Sequence, residues 1–249
     1  MAKTNGIVKI EGTIEDLTFY KKDGKNFVRR KGGVSKERIE TDPNFVRTRE
    51  NNAEFGQSAN SGKVLRLALG SLVFKAKDSN LSSRLMQVMS RIKNFDVTSS
   101  RGQRNVNNGI ATVDGKLQLK GFNFNRNAPL QNVLYAPFDL DIASGKISFT
   151  DLIPAEQLQS PQGATHFSLQ CAVLKIDFET TLSEINYSNI ENIPISLTPI
   201  SPTLTPTGLP SGSGVMLFLL TISFYQEVNG VQYSLKNEEY NVLTVLDVT

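Results

Sequence analysis

An α+β fold, with an N-terminal β-meander plus helices followed by an all-β sandwich of immunoglobulin-like size, is what this 249-residue sequence predicts. Three observations predict it. Strand formers dominate residues 6–31 and are interrupted by Asp23-Gly24. An apolar stripe of helical period runs from Leu81 to Phe95, and beyond Pro129 short apolar runs alternate with turns and carry no helical stripe. A chain of this length holds one large or two ordinary domains, since domains usually contain roughly 100 to 200 residues. The expected division is a basic hairpin-and-helix domain over 1–126 and an acidic sandwich over 127–249.

Each element has its own signal. A period of two sets Ile7, Lys9 and Glu11 against Val8, Ile10 and Gly12, and Leu17, Phe19, Phe27 and Arg29 continue the style. Asp-Gly between strand formers is a two-residue hairpin signal, so a three-strand meander is expected over 6–31, with Phe19 and Phe27 on its inward face. Asp42-Pro43 starts a helix expected to run to about Phe55, because Asp caps free N–H groups and Pro is pre-set for the first turn. Small polar residues from Gly56 to Gly62 predict a break. The apolar run from Val64 to Phe74 then predicts a helix buried on several sides. Leu81, Leu85, Val88, Ile92 and Phe95 form the clearest amphipathic helix, with Arg84, Gln87, Arg91 and Asn94 opposite. Residues 98–109 read as a polar loop, Val113-Asp114-Gly115-Lys116-Leu117 as a second hairpin, and Leu117, Leu119, Phe122 and Phe124 as strand.

In the back half, strands are expected at 135–142, 146–152, 166–178, 182–187, 215–228, 231–236 and 240–246, with Ser144-Gly145 and Asn229-Gly230 at hairpin turns. Seven strands suit a sandwich, here without the cysteine pair and tryptophan of immunoglobulins. Residues 193–214 hold five of the ten prolines and read as an extended edge or an exposed loop, because proline cannot donate to a ladder.

The net charge of +3 hides an asymmetry. Residues 1–126 hold 24 Lys+Arg against 12 Asp+Glu, a net +12, whereas 127–249 hold 3 against 12, a net −9. Such a split points to nucleic-acid binding or to electrostatic pairing. One cysteine excludes an internal disulfide, the opening Met-Ala-Lys-Thr-Asn lacks the apolar run of a secretory signal, and the longest apolar run, Val215 to Tyr225, is shorter than the roughly 20 residues of a membrane-spanning helix. The expectation is a cytoplasmic protein without membrane contact.

Catalytic chemistry is not expected. His166 and Cys171 lie five residues apart in one strand and so on opposite faces, which disfavours a nucleophile pair. No group of Cys, His and carboxylates has the spacing of a zinc site, and Asp139 and Asp141 alone offer too few oxygens for calcium. Neither phosphate-loop glycine pattern occurs, and Gly212-Ser213-Gly214 lacks the strand-to-helix setting of a nucleophile elbow. No metal or other cofactor is expected.

Several runs are similar to a known family. Lys3 to Ile14, Leu17-Thr18-Phe19-Tyr20, Lys31 to Ser35, Arg47 to Gly56 and, more loosely, Arg101-Gly102-Gln103-Arg104 resemble short uncharacterised proteins of Bacteroidota-type bacteria. The resemblance covers the front half, implies a bacterial cytoplasmic origin, and transfers no site or activity.

The function expected from these features is that of a non-enzymatic structural protein. It would self-assemble as a homo-oligomer through heterologous contacts, basic front on acidic back, into a ring, filament or tube. The alternative is a nucleic-acid-binding protein using its basic half. In either case the candidate surface is Lys21, Lys22, Lys25, Arg29, Arg30, Lys31, Arg47 and Arg49, with Phe19, Tyr20, Phe27 and Phe45 interleaved.

Overall fold

The computed structural model describes residues 2–3, 10–22, 24–30, 32–235 and 239–249. Contacts divide the chain between Arg49 and Glu50 into two units. The change in charge at residue 126 therefore falls inside the second unit.

In the first unit, β1 (Ala2–Lys3), β2 (Gly12–Ile14), β3 (Leu17–Lys22) and β4 (Lys25–Arg30) form an antiparallel sheet in the order β1-β4-β3-β2. The meander β2-β3-β4 is the expected one, and β1 adds a strand along β4; residues 6–9 lie outside the described residues. Ser35 then caps α1 (Lys36–Thr41) by accepting from Arg38 N at 3.2 Å. Asp42 accepts from Asn44 N at 2.9 Å and opens a short 3-10 turn over Pro43–Phe45. The helix signal at Asp42-Pro43 thus marks that turn, and α2 (Val46–Leu69) follows it directly.

The expected break at Gly56 to Gly62 does not occur: α2 runs through it for 24 residues. Its buried face is Glu54, Ser58, Ser61, Gly62, Leu65 and Leu69, spaced at the helical period but made of small and polar residues. Ser58 and Ser61 return their hydroxyls to the carbonyls of Glu54 and Gln57 at 2.9 and 3.1 Å, so neither competes for outside partners. Gly70 ends the helix, and α3 (Ser71–Lys75) and α4 (Leu81–Ile92) follow. The run from Val64 to Phe74 is therefore two helices and is not buried all round, since Leu67 and Phe74 are each 70% exposed. In α4 Leu81, Leu85, Val88 and Ile92 of the expected stripe are buried, joined by Met89, while Phe95 falls in the following 3-10 turn Lys93–Phe95 and is half-buried.

Two further expectations are corrected. The stretch 98–109 is loop only as far as Asn105, which caps α5 (Val106–Ile110) through Asn108 N at 2.8 Å. Val113-Asp114-Gly115 opens not a hairpin but α6 (Val113–Leu119), capped by Thr112 accepting from Gly115 N at 3.0 Å. A Thr before Val-Asp is as good a helix start as Asp-Gly is a turn, and here the cap wins. Leu117 and Leu119 are thus helical, while Phe122 and Phe124 pair as extended backbone with the last strand, Phe124 N reaching Leu243 O at 2.9 Å.

After the one-turn α7 (Leu130–Val133) come β5 (Phe138–Asp141), β6 (Lys146–Phe149), the one-turn α8 (Pro154–Gln157), β7 (His166–Ile176), β8 (Ser183–Tyr187), β9 (Glu191–Pro194), β10 (Thr203–Leu204), β11 (Val215–Val228), β12 (Val231–Ser234) and β13 (Val242–Val248). A small sheet, β10-β6-β5, faces a six-stranded sheet built on β11 and β7, giving the sandwich-like part of an α+β fold. Asn229 and Gly230, with φ of 52° and 76°, make the β11–β12 turn that their sequence signals.

The long strands β7 and β11 serve two cores at once. Phe167, Leu169, Cys171, Leu220, Ile222 and Phe224 face the small sheet's Ile147, Phe149 and Leu204. Ala172, Leu174, Ile176, Val215, Leu217 and Leu219 face Leu65, Leu69, Leu85, Met89 and Ile110 of the helices. Alternation along each strand separates the two sets. Both faces are covered, so these strands read as continuous apolar runs. The proline-rich stretch is an extended edge: Ile200 pairs with Leu152, β10 with β6, and Pro206 with Ser188. No helix among the described residues is long and apolar enough to cross a membrane.

Candidate functional site

The β2-β3-β4 sheet carries most of the expected surface, and its register divides that surface in two. Tyr20 stands opposite Phe27, Lys22 opposite Lys25 and Thr18 opposite Arg29, so these six side chains share one face. Leu17, Phe19 and Lys21 stand opposite Arg30, Val28 and Asn26 on the other, joined by Ile14 across from Leu17. Phe19 and Phe27 therefore lie on opposite faces and not on a shared inward one, and Lys22 and Arg30 are likewise separated. The cause is the two-residue turn, which fixes the pairing and with it the face of every side chain.

The first face is basic and aromatic. Tyr20 and Phe27 stack with centroids 5.7 Å apart, and the Arg29 guanidinium lies 5.5 Å from the Tyr20 ring centre. Lys22 and Lys25 oppose each other at the tip, both exposed; like charges so placed cost a few tenths of a kcal/mol or more. The second face is apolar, with Ile14, Leu17, Phe19 and Val28, and has Lys21 and Arg30 at opposite ends. Arg30 lies 3.6 Å from Asp16 in an exposed pair. Among the described residues of this unit, no side chain whose exposure is described is buried.

The remaining expected residues differ in role. Arg49 is half-buried and donates to the carbonyls of Ile39 and Asp42 at 2.7 and 3.0 Å, tying the end of α1 to the start of α2. Arg47 is exposed on α2. Phe45 packs under the Arg38 guanidinium at 5.7 Å. Lys31 lies outside the described residues.

The second unit holds a polar cluster that sequence reading missed. Glu54, on the buried face of α2 and only 2% exposed, accepts from Arg104 Nε and a second guanidinium nitrogen at 2.9 Å each, from Gly102 N at 2.8 Å, and from Lys93. Two segments far apart in the chain, 47–56 and 101–104, thus meet at one carboxylate. Next to it, Asp96 accepts from Thr98 N, Ser99 N and the Thr98 hydroxyl on one oxygen and from Asn105 N and Asn108 on the other. Asp78, half-buried as a residue but with its side chain only 3% exposed, pairs with Arg84, whose guanidinium also donates to the carbonyls of Asn123 and Phe124 at 2.9 Å each.

These carboxylates stay ionised for physical reasons. The Arg104 hydrogen bond, with Lys93 and Gly102 N, holds Glu54 down to about 2 against the opposing effect of burial. Burial alone would raise Asp96, but hydrogen bonds from Ser99, Thr98 and Asn105 N outweigh it and hold the carboxyl low. Every oxygen of Glu54 is already taken by a donor of this chain, so the cluster is a structural lock and offers no ready proton acceptor. A depressed carboxylate stabilises the fold fully above its unfolded value near 4.5, and that contribution is lost as pH falls toward the folded value. Urea midpoints should therefore fall steeply between about pH 4.5 and 2, and Glu54→Gln should flatten that limb. An unchanged slope would remove Glu54 from the account.

His166 and Cys171 lie on opposite faces of β7, as their spacing requires: Cys171 is buried toward the small sheet, while His166 lies 3.6 Å from Glu227. Burial pushes the Cys171 thiol up. Asp139 and Asp141 alternate outward on β5, where Asp141 accepts from Ala143 N at 3.0 Å in its own turn. Among the described residues, no group of three or more His, Cys, Asp or Glu is placed to hold a metal ion. No protein-family model, curated protein or solved structure matches the chain.

Proposed function

We propose that this chain is a non-enzymatic structural protein that assembles with copies of itself, the N-terminal sheet of one copy docking on the acidic back of another. The observation that carries this reading is the sheet itself. Sheets become independently stable by packing a hydrophobic face, and here Ile14, Leu17, Phe19 and Val28 share a face on which none is buried. A second copy supplies complementary charge: residues 1–49 hold 12 basic against 7 acidic residues, a net +5, whereas 127–249 carry −9. Unlike patches in contact are heterologous, so the assembly closes into a ring or continues as a filament or tube.

Assembly should depend on salt, since exposed charges are screened within roughly 8 to 10 Å in physiological salt. Replacing Lys21, Lys22, Lys25, Arg29 and Arg30 by Glu should abolish large species in light scattering while barely moving the melting temperature. Exposed charges contribute only about 0.2 to 1 kcal/mol each to stability, but reversing several across an interface costs far more. A parent protein that stays a monodisperse monomer at high concentration and low salt would rule the reading out.

A second reading has one observation in its favour: the stacked Tyr20–Phe27 pair beside Arg29 is a platform on which nucleic-acid bases could stack. Material that co-purifies with absorbance at 260 nm, lost in the five-fold Glu variant, would favour it.

A further inference from the structure

A groove in the second unit is built from α2, α3 and the start of α4, and it differs in kind from the acid-locked interior beside it. Its volume is about 600 Å³, within the roughly 300 to 1,000 Å³ common for small-ligand sites. Lys63, Arg66 and Lys77 line it together with Leu67 and Phe74. Leu67 and Phe74 are its exposed apolar walls. Lys77 Nζ sits 4.8 Å from the centre of the Phe74 ring.

Charge in the groove is one-sided. Lys93, Arg84, Arg101, Arg104 and Lys120 of the same unit are each paired with a carboxylate, and other cations of the unit that are not, such as Lys75, Arg91 and Lys116, lie outside the groove lining. Among the described residues, Lys63, Arg66 and Lys77 have none within ion-pair distance, and Arg66 Nε makes only a 3.3 Å bond to the Gly62 carbonyl of its own helix. The one acid lining the groove, Asp78, is turned away: its side chain is 3% exposed and is occupied by Arg84, Arg126 N and Asn80 N. Three uncompensated cations around an open aromatic ring form a surface for a planar group carrying phosphate. The cations neutralise the phosphate, and the ring offers a stacking face that tolerates any base.

We propose that this groove binds a nucleotide unit, its base against Phe74 and its phosphate among Lys63, Arg66 and Lys77. The unit could belong to a single strand or be a free nucleotide, because the recognising chemistry is the same. The site is independent of the N-terminal sheet and of its assembly.

The test uses the full chain and two probes, a fluorescein-labelled ten-residue oligothymidine read by anisotropy and adenosine monophosphate as competitor, at 50 mM salt. Phe74→Ala should weaken strand binding about tenfold, and the Lys63→Ser, Arg66→Ser, Lys77→Ser triple variant should weaken it at least as much. The triple variant should also make the dependence of log affinity on log salt shallower by about 0.7, the share of one phosphate contact on a single strand. All four side chains border an open groove, so circular dichroism melts should match the parent. Displacement of the strand by millimolar mononucleotide identifies a free nucleotide as the source, whereas strand binding that resists it identifies a strand. The proposal is overturned if neither probe binds, or if both groove variants bind as the parent does, including the case in which only the N-terminal sheet variant loses binding.

Discussion

Replacing Glu54 by Gln is expected to lower the melting temperature by about 6 to 20 °C. Removing one partner of a buried pair leaves the other uncompensated at a cost of about 3 to 5 kcal/mol, and in a unit of this size each kcal/mol moves the transition by roughly 2 to 4 °C. Gln keeps one accepting oxygen but turns an N–H₂ group toward donors, because Arg104, Lys93 and Gly102 N all approach as donors. Glu50 is the control. It meets Arg101 Nε at 3.2 Å in a partly exposed pair, its own side chain 22% exposed against 3% for Glu54, and pairs open to water contribute about 1 kcal/mol, so Glu50→Gln should change the transition by a few degrees at most. A Glu54→Gln melt within 2 °C of the parent would mean that the cluster is not a lock.

The chemistry of this cluster could not be read from the sequence because its members are local strangers. Glu54 is 39 residues from Lys93 and 50 from Arg104, and each looks like a surface charge in its own segment. One signal was present. Glu54, Ser58, Ser61, Leu65 and Leu69 keep the helical period, but a search for apolar stripes passes over a face made of Glu and Ser. The same blindness turned Gly56 to Gly62 into an expected break. By contrast α4 was legible, since its stripe is all Leu, Val, Met and Ile. The strands β5 to β8 and β11 to β13 were legible from apolar runs and from turn residues such as Asn229-Gly230, and β11 covers the expected 215–228, whereas the short β9 and β10 were not read as strands. In the front sheet the strands and turn were legible but the faces were not. Placing Phe19 and Phe27 together required counting across the two-residue turn, where the register Tyr20↔Phe27 puts them apart.

The misread glycines lead to the second large effect. Gly115 was expected in a hairpin for its freedom of φ, yet it sits in α6, and what it supplies is space. A Cβ there would lie 2.0 Å from the carbonyl oxygen of Gly109, and one at Gly109 would lie 2.1 Å from that of Ile92. Both obstacles are backbone, so no side chain can swing aside, and α5 and α6 would have to separate from each other and from the end of α4. Those helices bury Ile92, Ile110 and Leu119 in the core against the large sheet. Gly115→Ala and Gly109→Ala should therefore each cost at least about 3 kcal/mol, at the upper end of overpacking, and lower the melting temperature by about 10 °C. Gly56→Ala should do the reverse. Nothing lies within 4 Å of a Cβ at that exposed position of α2, and Ala is favoured over Gly in a helix by about 1 kcal/mol, so the transition should rise by about 2 to 4 °C. Opposite signs at helical glycines in one chain separate space from conformational freedom as the reason each is there, and a Gly115→Ala protein that melts with the parent would show that α5 and α6 are not pressed together as described.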